Sequence, residues 1–185
     1  MVIVIIVLAL LILVGLTYVF VRNNMVSLRN RCDEAWSGID VQLKRRHDLV
    51  PNLVESVKGY ATHERETFEK VTQARSQAMQ ASGVEETGKA ESALSAALGG
   101  LRVVAEQYPE LRATENFQQL TRNLSELEDE IQASRRIYNS NTQAYNTKIQ
   151  VFPNSIVAAV GGLTEREFFE VADASEREPV PVTFG

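Results

Sequence analysis

Few residues in this chain have the types and spacing that chemistry requires. It holds two histidines, His47 and His63, and one cysteine, Cys32. A zinc-protease helix carries H-E-x-x-H, which puts two rings on one ion and a carboxylate beside its water. His63 is followed by Glu64, Arg65, Glu66 and Thr67, so the second ring is missing. A di-iron bundle needs Glu-x-x-His on two helices. Here Tyr60 stands before His63 and Lys44 before His47 at that spacing. Cys32 falls on an apolar face and reads as a small buried hydrophobe rather than a reactive thiol; alone, it forms no intrachain disulfide. No glycine-rich phosphate loop occurs, and Glu126 with Glu130 and Arg135 with Arg136 read as solvated helix faces. The expectation is a protein that is not an enzyme, with no catalytic, cofactor-binding or metal residues and no cofactor.

The elements that position these residues begin with an apolar run. Met1 to Val21 carries no charge, and the first charged side chain is Arg22. About 20 helical residues cross a hydrocarbon core of about 30 Å, so this run is long enough to span. A signal peptide has a basic start, a shorter apolar core and a small-residue cleavage site. None of the three is visible, so an uncleaved anchor is expected. Arg22, Arg29 and Arg31 follow the run closely and nothing basic precedes it except the α-amino group. The bias in basic residues then places the following domain in the cytoplasm. The expected location is the cell (inner) membrane, single-pass.

The rest is one domain's worth of chain. The net charge of −5 argues against a nucleic-acid surface. The stretch 22–50 is slightly basic, with six Lys/Arg against four Asp/Glu, and lies next to the anchor. Apolar residues then keep helical spacing. Met25, Leu28, Cys32, Ala35, Trp36, Ile39 and Leu43 form one stripe. Arg46 and His47 interrupt it. Val50, Leu53, Val54, Val57, Tyr60 and Ala61 resume it, and Phe68, Val71, Ala74 and Ala78 carry it on. Pro51 lies inside the pattern, so the helix is expected to break or bend near Asp48–Pro51 and to end around Ala81. A second helix is expected over Val84–Gln107, weakened at Gly99-Gly100 and ended by Tyr108-Pro109.

The third helix has the clearest period. Phe117, Leu124, Ile131, Tyr138, Tyr145 and Phe152 stand seven apart, with Thr114 as N-cap and Pro153 as stop. Leu120 and Leu127 fill the partner positions, which then become Ser134, Asn141 and Lys148. This is the seam of a left-handed bundle, dry at first and wetter later. Tyr138-Asn139 and Tyr145-Asn146 place two tyrosines on one face with asparagines beside them; a structural role outweighs a ligand site there. One or two helical turns are expected around Glu165–Ala172. In the tail, Val180, Val182 and Phe184 alternate, which suits an extended segment. The expected fold is all-α: a transmembrane helix (1–21), an up-and-down long-helix bundle (22–172) and an extended C-terminal tail (173–185).

Three segments carry a family resemblance. They are LRNRCDEAWSGIDVQLKRRHDLVPNLVESVKGYATHE (Leu28–Glu64), YPELRATENFQQL (Tyr108–Leu120) and RRIYNSNTQAYNTKIQVFPNSI (Arg135–Ile156). In this order they resemble the LemA family over nearly the whole chain. The resemblance implies a bacterial or archaeal protein with one N-terminal span and an up-and-down helical bundle. It supplies no catalytic residues. Relatives take part in magnetosome membrane formation and are often encoded near a membrane metalloprotease, which implies membrane organisation rather than a reaction. Cys32 and His47 stand where the family pattern has Val and Tyr, which further weakens any catalytic role for them.

The function expected is a membrane-anchored, non-enzymatic helical scaffold or adaptor that self-assembles and organises membrane or membrane-protein partners. Its expected partners are the lipid bilayer, other copies of itself and a membrane protein such as a metalloprotease, with no nucleic acid. The alternative is a membrane-tethered sensor or ligand-binding domain that signals through its single span, with its pocket near Ser134–Lys148.

Overall fold

The structure is a computed structural model and describes residues 1–61 and 63–170. The regular elements among the described residues are all helices: α1 (Val2–Lys58), α2 (Arg65–Gln80), α3 (Val84–Glu106), α4 (Pro109–Ala113), α5 (Glu115–Gln150) and α6 (Asn154–Val160). The extended tail expected over 173–185 lies outside the described residues.

One finding corrects the expected break. The anchor and the first stripe form one 57-residue helix that runs through Pro51 and stops at Lys58. Helix α2 is separate and begins at Arg65. Proline at position 51 has no N–H, so the carbonyl of His47, four residues earlier, loses its helical partner. Arg75 of α2 replaces it: its Nε donates to His47 O at 2.6 Å. A helix interrupted by proline is thus repaired from a neighbouring helix. Arg75→Ala should lower stability by about 1–3 kcal/mol, since a half-buried carbonyl is left unmet. Adding Pro51→Ala restores the helical donor, so the double variant should regain part of that loss in a denaturant titration.

The chain forms two compact units. One consists of Val41–Ile131 with Phe169 and Glu170. Its core joins Val50, Leu53, Val54 and Val57 of α1, Phe68, Val71, Ala74 and Ala78 of α2, and Leu94, Leu98, Leu101 and Val104 of α3 to Leu111 and Leu120. Gly83 makes the α2–α3 turn at φ 81°, a conformation open to glycine. The Ser82 backbone N–H donates to the Glu86 carboxylate at 3.2 Å beside it. Gly99-Gly100 stays helical because Leu98 and Leu101 on either side are buried in the core. Pro109 both ends α3 and opens the short α4, where a first-turn proline loses no hydrogen bond. Tyr60, expected on the stripe, is 43 % exposed, because α1 has already ended.

The other unit consists of Met1–Asp40 and Gln132–Phe168. It contains the apolar run, and α1 is the one described helix long and apolar enough to cross a membrane. The parts of α1 and α5 in this unit run antiparallel. The Trp36 and Tyr138 rings meet at 5.4 Å in a tilted pair, and Asn141 Nδ2 donates to Arg31 O at 3.2 Å. Met25, Cys32 and Ile39 of α1 are fully buried, as their spacing predicts. Two further expectations are corrected here. Helix α5 ends at Gln150, and Phe152 is 80 % exposed rather than part of the seam. Residues 163–170 carry no helix, although one was expected over Glu165–Ala172.

Candidate functional site

Two polar arrangements are built into the helices, one in each unit. The first fills the gap that Arg46 and His47 leave in the α1 stripe. Both keep the helical phase of Leu43 and Val50, so both point inward: Arg46 is 3 % and His47 8 % exposed. Helix α3 supplies Glu91, at 1 % exposure, on the same face as Thr87, Leu94 and Leu98. Its two carboxylate oxygens are divided between the partners. Arg46 Nη1 donates to Oε2 at 3.1 Å, and His47 Nε2 lies 2.6 Å from Oε1. Arg46 Nη2 donates to Ser95 Oγ at 2.6 Å, and the Glu128 carboxylate of α5 stands 3.6 Å from Nη1. Arg46 Nε has no partner among the described residues. Buried charges require partners of this kind, and here the main carboxylate is fully enclosed. The cluster joins α1 to α3.

The second arrangement is the wetter half of the α5 seam. Tyr138, Thr142 and Tyr145 are buried, and so is Asn146. The polar heads of Tyr138, Tyr145 and Asn146 meet the chain itself. After α6 the backbone turns at Gly161-Gly162, with Gly162 at φ 64°, and returns along α5 as an extended segment. Tyr145 Oη donates to Thr164 O at 3.0 Å and Tyr138 Oη to Glu167 O at 2.9 Å. Between them Asn146 grips a single residue from both sides. Its Nδ2 donates to Arg166 O, and Arg166 N donates to its Oδ1, each at 2.9 Å. A side-chain amide here does what a neighbouring strand would do, and the returning segment needs no ladder of its own. Gln150 Nε2 adds a bond to Glu165 Oε1 at 2.8 Å, and the Arg166 guanidinium forms an ion pair with Asp33 of α1.

Burial pushes both phenols, Tyr138 and Tyr145, up from the ordinary value of 10.0, so each remains an O–H donor at neutral pH. Stability tied to them is intact below that value and is lost as pH rises through the higher folded value. Burial also raises the Cys32 thiol, which suits its role as a core side chain. Asn146→Ala should release the returning segment. Amide exchange at Arg166 should rise about tenfold, the change that losing ~1–1.5 kcal/mol of hydrogen bonding produces. Asn146→Asp keeps the acceptor for Arg166 N but not the donor, and should fall between.

The residues singled out from the sequence are thus dispersed. Cys32 lies in one unit's core, His47 in the other's charged cluster, and His63 is exposed in the α1–α2 connection. Among the described residues no group of three or more His, Cys, Asp or Glu is placed to hold a metal ion. Sequence reasoning missed Glu91. Its signal was present: a lone acid on the apolar face of α3, to be matched with two basic residues on the apolar face of α1.

A protein-family model described as the LemA family matches residues 35–184, which takes in the second and third motif segments and the first from Ala35 on. The chain belongs to the LemA family. A relative named Protein LemA, from Metamycoplasma hominis, is 34 % identical over 167 residues, 89 % of this chain and 74 % of that protein. Magnetosome protein MamQ 2 of Paramagnetospirillum magneticum is 25 % identical over 180 residues, 83 % of this chain and 66 % of the relative. Magnetosome protein MamQ of Magnetospirillum gryphiswaldense is 23 % identical with the same coverage. The LemA-family chain therefore spans about two thirds to three quarters of these relatives. The Arg46–His47–Glu91 cluster and the clamp of Tyr138, Tyr145 and Asn146 both fall inside the matched LemA region.

Proposed function

We propose that this LemA-family protein is a membrane-anchored, non-enzymatic helical scaffold or adaptor that self-assembles in the membrane and organises membrane or membrane-protein partners. The observation that carries the reading is the use made of the motif side chains. Tyr138, Tyr145 and Asn146, the polar groups best placed to face a ligand, are engaged by the chain's own backbone at Thr164, Arg166 and Glu167. The apolar helix supports an anchor, and the relation to magnetosome proteins supports a role at membranes. Anchoring also confines copies to two dimensions and raises their effective concentration. The arginines that follow the span support a cytoplasmic side for the domain.

The sensor reading keeps one supporting observation. Helix α1 runs unbroken from the apolar run to the buried Arg46–His47 pair, a continuous element through which a displacement could pass. Mild cross-linking in native membranes separates the two. A scaffold should give discrete higher-mass species of the full-length chain, and deleting Glu178–Gly185 should shift them to lower mass with helix content unchanged. A monomer in both intact membranes and mild detergent would refute self-assembly. Assembly unaffected by the deletion would refute only the tail's part.

A further inference from the structure

We infer that α6 and the residues just before it form a second membrane contact: a short apolar face that lies in the interface of the same bilayer, beside the emerging anchor helix. This rests on the reading of α1 as a membrane anchor and adds a surface to it.

The register of the first unit brings this segment to the right height. Along α5, Tyr138 pairs with Trp36, Asn141 reaches Arg31 O, and Tyr145 lies close enough to Arg29 to feel its charge. Each step of seven residues forward on α5 therefore returns about seven on α1. One further step leads from Tyr145 to Phe152, and from Arg29 to Arg22, the first charged residue after the apolar run. The contact at the end of α6 agrees independently: a Cβ built on Gly161 would lie 3.9 Å from Arg22 Nε. The segment 152–161 thus sits where the span meets the headgroups.

Its surface suits that place. Phe152, Ile156 and Val160 recur every fourth residue and are 80 %, 58 % and 72 % exposed, and Val151 beside them is 45 % exposed. Asn154 and Ala158, on the opposite side, are buried. Between Lys148 and Glu165 no residue is charged. A run of large apolar side chains held open to water without charge is unfavourable, at ~25 cal/mol per Å² of apolar surface. Placed at the level of Arg22 it would instead reach into the boundary between headgroups and acyl chains, as interfacial helices do. Arg22 and Lys148 flank it and can meet lipid phosphates. A second copy could also cover such a face, but the height at the span's end and the charge-free run favour lipid.

The test uses the full-length chain in phosphatidylcholine liposomes brominated at shallow or deep acyl positions. A tryptophan is added as Phe152→Trp, and separately as Val160→Trp. Native Trp36, the chain's one tryptophan, supplies the baseline in every sample. Ile137→Trp, on an exposed α5 position several turns from Phe152, serves as the control. The added emission at 152 and 160 should shift to the blue and lose roughly half its intensity with shallow bromine, more than with deep bromine. That at 137 should not change. Circular dichroism verifies the helix content of each variant. If the chain floats with liposomes and resists alkaline extraction, yet 152 and 160 are quenched no more than 137, the second contact is refuted and the anchor stands. A blue-shifted emission that lipid bromine does not quench assigns the face to another copy and refutes the bilayer as its occupant. If the chain neither floats nor resists extraction, both the anchor and the contact fall.

Discussion

Glu91→Ala should destabilise the protein by about 3–5 kcal/mol, the loss that follows when one partner of a buried ion pair is removed. The guanidinium of Arg46 would remain enclosed at 3 % exposure with only Ser95 and the more distant, partly exposed Glu128 for company. His47 would lose its partner at the same time. Glu91→Gln keeps the shape and two polar atoms but not the charge, and should lie between. The informative variant is the triple change Arg46→Met, His47→Leu, Glu91→Leu. It removes the desolvation penalty together with the attraction, so it should recover most of the loss and unfold with a midpoint close to the parent's. Denaturant titration in detergent reads all three. Glu85→Ala, which removes an exposed partner of Lys89, is the surface comparison. A Glu91→Ala shift no larger than that one would contradict the enclosed cluster.

The same cluster shows how much of the fold the sequence made legible. Helix positions came from apolar period: α3 and α5 begin where Gly83 and Thr114 predict, and the Met25–Val57 stripe is buried residue by residue apart from its half-buried edge. Phe117 N donates to Thr114 Oγ1 at 3.4 Å, the cap that was expected. Arg46 and His47 were read as a gap in that stripe because they are polar, although their phase is that of the core. What fills the gap, Glu91, is 44 residues from His47, and one sequence does not reveal which distant acid pairs with which base. Pro51 was read as a break by the local rule. Local rules omit Arg75, which meets the carbonyl that proline leaves open. The returning segment at 164–167 was opaque for the same reason. Its backbone partners are side chains on α5, so no period of its own marks it, and the helical turns expected around Glu165 give way to bonds from the tyrosines and Asn146.

Ile131→Ala should cost about 2–5 kcal/mol, as the truncation of a fully packed aliphatic side chain does. The α5 heptad alone would assign similar weight to each of its positions, and the structure does not. Ile131 is 2 % exposed, Leu124 is half-buried against the core of Val50 and Leu94, and Phe152 is 80 % exposed. Leu124→Ala should therefore cost about half as much as Ile131→Ala, since part of its side chain already meets water. Phe152→Ala in detergent-solubilised protein should stay within about 0.5 kcal/mol of the parent, the range of a surface change. Unfolding midpoints of the three variants, measured with the denaturant slope unchanged, check the order. Equal losses at 124, 131 and 152 would restore the uniform seam and would require Phe152 to be covered. A steep fall from 131 to 152 has the opposite meaning. The heptad continues in sequence past the point where helix α5 packs as a seam. At Tyr138 and Tyr145 its partner is the chain's own returning backbone, and at Phe152 the side chain is left for something outside the protein.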